Sequence, residues 1–457
     1  MSDPAAPLVA HAVGLRFEHL PAAAVGAAKL VLLDTIGALL LGSGRQYAAS
    51  WLTGDLARAL GGGEPPPASG CTVFGRPFKA DVASAALANG TMGYAADAEG
   101  GGVLRQHAAA VMVPTALTVA EREHASGRAL VAALAAGYDV AARIDLASAP
   151  DGPSQRGWHP SAVLGHFGAA AVAAHLLGLD ERRFGNALGL AGLTFGGMAA
   201  WLNAEREDSR AYVIGMAAHR GVLAALLAQM GMGAPLGLLD PAAKYSFYDA
   251  FTGAAHPEEL TRDLGRTFWI TQHLGFKRYA CCGDIHPGID AIVKIVTEHD
   301  LRPADVVEIV DRVHPNDTRI PPLKSHCREY LLAVAAARRG IPDDAILVDY
   351  RRTDPEVAEL HRRLRRVPDP ATAAIPGYGA AVVDVRTRDG RLLRETVPYR
   401  LGHPANPLPP ERLAAKFFAW ATTRIPRRRA ERVKALVERL EELPDVAELV
   451  ALLAAPD

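Results

Sequence analysis

Residues 21–44, PAAAVGAAKLVLLDTIGALLLGSG, read as one long helix, and that reading sets the fold class. Pro21 suits a helix start, where a missing N–H and a fixed φ do no harm. Val25, Ala28, Leu32, Ile36, Leu39 and Leu40 recur at helical spacing until the glycines at 42 and 44 stop the pattern. The result is a core helix. The same alanine- and leucine-rich texture returns at 79–95, 113–146, 161–179 and 211–231, where small side chains permit close helix approach. Residues 1–270 therefore read as mainly α. Beyond Gly275 the texture changes. Val307, Ile309 and Val313 suggest a strand, and Ala381–Tyr399 reads as a hairpin around Asp389-Gly390. Helical texture resumes after Pro404, at 410–422, 427–440 and 446–454, so the middle segment reads as an α+β insertion. Pro65–Pro67 reads as a loop, and Arg362–Arg366 and Arg427–Arg429 as solvated charge runs.

A chain of 457 residues suggests two domains, or one domain carrying another as an insertion. Its 49 Lys+Arg balance 50 Asp+Glu, so no overall field favours nucleic acid or an anionic membrane. Affinity for an acidic ligand must be local. Met1–Ala12 has no basic stretch ahead of an apolar one, which predicts no signal peptide and a cytoplasmic location. The cysteines at 71, 281, 282 and 327 give neither a disulfide framework nor the Cys-x-x-Cys spacing of zinc or iron–sulfur sites. Phe184–Ala204 is uncharged and long enough to span a membrane, but its five glycines and two asparagines favour buried helices with a break.

Phe276-Lys277-Arg278-Tyr279-Ala280-Cys281-Cys282, followed by His286-Pro287-Gly288-Ile289-Asp290-Ala291, brings a cation, two thiols and a histidine together before an apolar run. Such a cluster suits an anion. The first of these stretches resembles the lysine-aromatic-small-Cys signature of the MmgE/PrpD lyases, the group that contains 2-methylcitrate dehydratase and cis-aconitate decarboxylase. Other segments resemble the family in its order. "ALANGTMGYAADAEGGGVLRQHAAAVMVP" is similar to its segment with an aspartate-rich loop and a His seven residues before a Pro. "GWHPSAVLGHFG" is similar to its His-Pro segment, "SRAYVIGMAAHRG" to one with a lysine five residues before a Gly, and "SHCREYLLAVAAARRG" to one with an active-site tyrosine.

The resemblance implies a large all-α domain from 1–270 with 402–457, an α+β lid domain over 271–401, a cleft between them and a homodimer. It places active-site roles on Asp97, His107, His159, Lys277 and Tyr330. Arg210 stands where the family has lysine, His326 lies one turn before Tyr330, and Cys282 falls where cis-aconitate decarboxylase has a histidine. Arg210, Lys277, His159, Cys282 and His326 are the expected substrate contacts, with no metal and no cofactor. A further departure follows Asp97, where Ala98, Glu99 and Gly100–Gly102 replace a richer set of carboxylates and a threonine.

Family members lose water or carbon dioxide, or move a proton, beside a carboxylate. Without a metal, fixed cations and hydrogen-bond donors must stabilise the charge that develops there. Histidine suits the proton transfers. His107 is the first candidate, with Asp97 to orient it, Tyr330 to supply an acid proton and His159 to bind a carboxylate or share the acid role. Taken alone, each has a plainer reading: Asp97 as a helix cap, Arg210 as an exposed helix start, Tyr330 as a core aromatic. The leading expectation is a metal-independent hydro-lyase acting on a small di- or tricarboxylate similar to 2-methylcitrate. A decarboxylase of a cis-aconitate-like acid and an epimerase are near alternatives. A non-catalytic paralogue that keeps only a binding pocket is the alternative of another class.

Overall fold

The helix expected over 21–44 spans Ala22–Gly42 and is buried along most of its length. A computed structural model describes residues 3–60, 70–102, 104, 106–148, 156–235, 237–272, 274–315, 317, 321–375 and 380–455; the proline loop at 65–67 lies outside them. Against this helix pack Val82–Ala95, Ala108–Arg122, Gly127–Ala147 and Pro410–Ala421, and a further layer, Pro160–Leu176 and Asp208–Gln229, packs on the first three of these. Small residues set the spacing. A Cβ on Gly215 would stand 2.5 Å from the Leu87 carbonyl oxygen, so the helices Val82–Ala95 and Asp208–Gln229 approach backbone to backbone. The texture at 113–146 forms two helices, not one. Ser126 breaks it, its hydroxyl capping the second helix at the Ala129 amide, 3.2 Å away. The first helix starts at Ala108 and carries Pro114 within it.

Phe184–Ala204 is also divided, into the end of the helix Glu181–Leu193 and the short turn Ala199–Asn203. Among the described residues Ala22–Gly42 and Asp208–Gln229 are long and apolar enough to cross a membrane. Their most apolar windows are 78% and 56% buried inside the fold.

The fold is mainly α, with two small sheets. Strands β1 (Cys71–Thr72) and β2 (Lys79–Ala80) form a minimal antiparallel pair. The larger sheet has the order β4-β3-β5-β6, from β3 (Val306–Val313), β4 (Leu364–Pro368), β5 (Ala381–Thr387) and β6 (Leu392–Val397). The hairpin β5–β6 turns at Asp389-Gly390, with Gly390 at φ 89°. β4 lies parallel to β3 and occupies much of the arginine run read as solvated surface. Arg362 and Arg365 are exposed, but Leu364 points inward and Arg366 pairs with Glu329 at 3.1 Å. Charged side chains on an edge strand also discourage pairing with other chains.

One apolar core joins residues between Ala5 and Ile270 with Phe417–Leu453. A second gathers residues between Tyr279 and Val385, together with Ala38, Leu41, Ala95, Ala98 and Trp420 from the helical part. The two meet where the loop after Val82–Ala95 runs beside residues 275–277. There the Gly101 amide donates to the Gly275 carbonyl at 2.7 Å, and the Phe276 amide to that of Gly402 at 2.7 Å.

This contact needs glycine at 100. A Cβ there would lie 2.6 Å from Phe276 Cα and 2.8 Å from the Gly275 carbonyl oxygen, both backbone atoms with little room to yield. Gly100→Ala is expected to cost about 1–3 kcal/mol, the usual range for overpacking. Gly26→Ala is the control of opposite sign. It lies inside the helix Ala22–Gly42 with nothing within 4 Å of its added methyl, and should stabilise by about 1 kcal/mol. Chemical denaturation of both variants checks the pair.

Candidate active site

The helix Val82–Ala95 ends two residues before Asp97, which takes a left-handed conformation with φ 51°. Aspartate tolerates that region better than most residues. Its carboxylate meets no helix amides, so the capping reading is set aside. Instead Asp97 Oδ1 accepts from Lys277 Nζ, which also donates to the Asp97 carbonyl oxygen at 2.9 Å. Burial opposes charge on Asp97, but Lys277 and then Arg210 overcome it and hold the carboxyl well below the usual range. The same partnership keeps Lys277 protonated against its own burial: Asp97, then Glu99, raise its pKa.

Arg210 is fully buried, which rules out an exposed helix start. Its Nε donates to Glu207 at 2.9 Å, its Nη2 to the Ala95 carbonyl at 3.3 Å, and its Nη1 lies 3.6 Å from Asp97. The guanidinium sits 4.5 Å from the centre of the Tyr94 ring. Glu207 also accepts from Ser325, from its amide at 3.2 Å and its hydroxyl at 2.8 Å, and so ties Arg210 to the short turn Lys324–His326. Ser325 Oγ in turn contacts His326 Nδ1 at 2.7 Å.

His107 and His159 each stand immediately before a helix, Ala108–Arg122 and Pro160–Leu176. The positive end of each helix dipole therefore faces the same region. His107 Nδ1 lies 2.6 Å from Glu99 Oε1, and Glu99 is buried with its other oxygen unpartnered. The His107 side chain keeps 32% of its surface exposed. Tyr94, His107, His159, Trp201 and His326 form an arc of rings, with successive centroids 4.8, 6.4, 5.2 and 5.3 Å apart. Burial pushes His159 down to about 3, helped by the charge of His107 and Arg210. Burial also lowers His326, to about 4. Both are neutral donors or acceptors at working pH, so His159 is ill-suited to share an acid role.

The structure thus brings Asp97, His107, His159, Arg210, Lys277 and His326 together. Cys282 lies beside them, half-buried, its amide donating to the Ser325 carbonyl at 3.0 Å. Burial, then Asp284 and Asp97, push its thiol well above the ordinary value. Tyr330 is placed elsewhere. Its hydroxyl lies 2.8 and 2.7 Å from the carbonyl oxygens of Ala345 and Val348, inside the second core, so the expected acid role is corrected to a structural one.

Several members went unread in the sequence. Glu99 was counted with a depleted loop, yet it is the partner of His107. Trp201 lay in a stretch read only for its apolarity. Beneath the cluster, Lys416 pairs with Asp34 and donates to the Lys277 carbonyl at 2.7 Å, while Asp34 Oδ2 accepts from the Gly100 amide at 2.6 Å. Both sit in ordinary helical contexts 382 positions apart (416 less 34), and no local pattern joins them.

Among the described residues, Asp97, Glu99 and His107 also offer three possible metal ligand atoms within 4.8 Å of one another. The Lys277 ammonium already bonds Asp97 and stands 3.9 Å from Glu99. A divalent ion among these atoms would face a fixed positive charge at close range, so the donor set fits poorly.

The described geometry can hold a carboxylate beside a histidine–carboxylate pair. The family's N-terminal domain model matches residues 7–260 and its C-terminal domain model residues 279–442. The chain belongs to the MmgE/PrpD family. It is 26% identical over 470 residues to a cis-aconitate decarboxylase of Mus musculus, covering 97% of this chain and 92% of that protein. A cis-aconitate decarboxylase of Aspergillus terreus (strain NIH 2624 / FGSC A1156) is 26% identical over 493 residues, covering 97% and 94%. The cis-aconitate decarboxylase-like protein oryM of Aspergillus oryzae is also 26% identical, covering 96% and 95%. These family relatives support a lyase without deciding which bond it breaks.

The buried neutral histidines carry a pH signature. His159 has its pKa lowered from 6.5 to about 3 and His166 to about 4, both chiefly by burial. Below about pH 6.5 the unfolded chain takes up protons that the folded one refuses. Stability is therefore full above that pH and falls on acidification, by about 1.4 kcal/mol per pH unit for each group. Urea unfolding between pH 7 and 4 should show the fall, and His159→Gln should reduce its slope by one group's share.

Proposed function

We propose that the protein is a lyase that cleaves a bond beside a carboxylate of a small acid, with His107 and Glu99 as its proton-transfer pair. The observation that carries this reading is the 2.6 Å contact between a buried Glu99 and a partly exposed His107, beside the fixed ammonium of Lys277. Glu99 holds the ring by Nδ1 and leaves Nε2 for substrate. Lys277 and Arg210, with neutral His159, stabilise the carboxylate on which charge builds.

Decarboxylation suits this set of groups. As carbon dioxide leaves, the electron pair of the broken C–C bond stays on carbon, spread into a remaining carboxylate or double bond, and one proton from His107 quenches it. Only one proton carrier is needed. The relatives' names agree with this choice. Loss of water, the leading sequence expectation, needs the α-proton removed and the departing hydroxyl protonated, and Tyr330 does not face the cluster. Water elimination is retained as a second reading because one histidine can serve both steps in turn from the same face.

His107→Ala should lower kcat by about 10²- to 10⁴-fold with a smaller change in KM, as for a proton-transfer group. Tyr330→Phe should keep kcat near wild type and lose about 1–3 kcal/mol of stability. A panel of di- and tricarboxylates, followed for released carbon dioxide, alkene absorbance and solvent deuterium together, tells the reactions apart. Near-normal kcat in the His107 variant would remove that residue from the chemistry. EDTA is expected to leave the rate unchanged.

The partner proposed is a second copy of the chain, as the resemblance implies. The helix Asp208–Gln229 supports it, exposing Tyr212, Leu223 and, just past its end, Met230 on one face at 46%, 41% and 84%. Spacings of eleven and seven residues keep them aligned. Light scattering should give a dimer mass, and Leu223→Asp with Met230→Asp should halve it.

A further inference from the structure

Resting on the lyase reading, we infer that His326 faces the substrate as a hydrogen-bond acceptor, fixed in that form by Ser325 and Glu207, and that this site therefore takes an acid carrying a hydroxyl group which the reaction leaves in place. One proton has to serve two contacts. Ser325 Oγ lies 2.8 Å from Glu207 Oε2 and 2.7 Å from His326 Nδ1, and a hydroxyl has a single hydrogen to give. Glu207 Oε2 also accepts from Arg210 Nε at 2.9 Å, and a guanidinium keeps its proton, so this oxygen belongs to a carboxylate and only accepts. Two oxygens 2.8 Å apart with no hydrogen between them would repel, so the Ser325 proton goes to Glu207. Ser325 is fully buried, and no water competes for it.

What remains for His326 is the lone pair of that hydroxyl. Its Nδ1 must therefore carry a hydrogen and donate it. A second hydrogen on Nε2 would make the ring a cation, and burial, which lowers the His326 pKa to about 4, prevents that at working pH. Nε2 is thus bare. It is open to solvent and has no hydrogen-bond partner among the described residues. The ring also belongs to the cluster. It stands 5.3 Å from Trp201, which in turn stands 5.2 Å from His159, and it feels the charges of Asp97, Arg210, Glu207 and Lys277.

A carboxylate oxygen brought against Nε2 would set lone pair against lone pair. An O–H group suits it. An ammonium would also donate, but as a further cation beside Lys277 and Arg210. The hydroxyl is moreover one that stays. Giving its hydrogen to an acceptor leaves the oxygen more negative and harder to expel, and a bare Nε2 has no proton for a departing hydroxide. Decarboxylation spares such a group, with His107 supplying the one proton that reaction needs.

Nitrogen-15 NMR of the histidine-labelled protein reads the tautomer, with the His326 signals assigned by their loss in His326→Phe. The hydrogen is expected on Nδ1, and Ser325→Ala should let it move to Nε2, a change that a merely structural serine would not produce. Calorimetric titration of the intact protein with succinate and with each enantiomer of malate, which adds one hydroxyl, reads the consequence. One enantiomer should bind about ten-fold more tightly than succinate, as for a hydrogen bond whose loss leaves a polar group unsatisfied. That preference should vanish in His326→Phe while succinate still binds. A hydrogen on Nε2 in the unaltered protein, equal affinity for malate and succinate, or fumarate formed from malate overturns the inference. Aspartate bound as tightly as the preferred malate overturns the choice of a hydroxyl, and a malate preference that survives in His326→Phe removes His326 from it. Malate preferred by a protein that converts no acid in the panel would sink the lyase reading and leave this one standing.

Discussion

A lysine ammonium buried where the two apolar cores meet is the constraint on which the site depends. Lys277 is 4% exposed, and an ion so placed is tolerated only with a partner of opposite charge and well-made hydrogen bonds. Asp97 supplies both, through its carboxylate and its own carbonyl oxygen. To do so its backbone enters the left-handed region, which the loop must then support. That support comes from below. Asp34 holds the Gly100 amide, Lys416 holds the Lys277 carbonyl, and the two hold each other. Burial raises the Asp34 pKa and lowers that of Lys416, so each depends on its partner to stay charged. Removing any one of these groups would strand a buried charge.

The same low-polarity surroundings sort the histidines by task. His159 and His326 are driven to their neutral forms, useful as hydrogen-bonding groups and poor as acids. His107 differs because it has both a buried carboxylate on one nitrogen and an exposed face. A site with one equipped proton carrier is suited to chemistry that moves one proton at a time. The groups available weigh more on the choice of reaction than the family resemblance does.

Much of the fold was legible because it rests on local patterns. The helical period at 21–44 and the Asp389-Gly390 turn each point to one local answer, and the structure has a helix and a hairpin there. β4 was missed since its arginines mask the single inward Leu364, and a short edge strand takes its partner from a distant segment. In the site, the segments bearing Asp97, His107, His159, Arg210, Lys277 and His326 could be read one by one, and the structure brings those residues together. Tyr330 misled because a motif fixes a residue's place in the chain, whereas its rotamer is decided by the backbone carbonyls it meets. Glu99, Trp201 and the Asp34–Lys416 pair matter only through what folding brings beside them.

The two departures from the family pattern prove to be linked through Asp97. The glycines at 100–102 looked like lost side chains, yet Gly100 lies against the backbone of Gly275 and Phe276, where any Cβ would collide. Their bareness lets the two segments close and sets Lys277 on Asp97. Arg210 reaches the same carboxylate from the other side, and its planar head does what a lysine could not: it lies over Tyr94 while bonding Glu207 and the Ala95 carbonyl. Both changes hold Asp97 in place, one by letting the two backbones close and the other by setting a second cation beside its carboxylate.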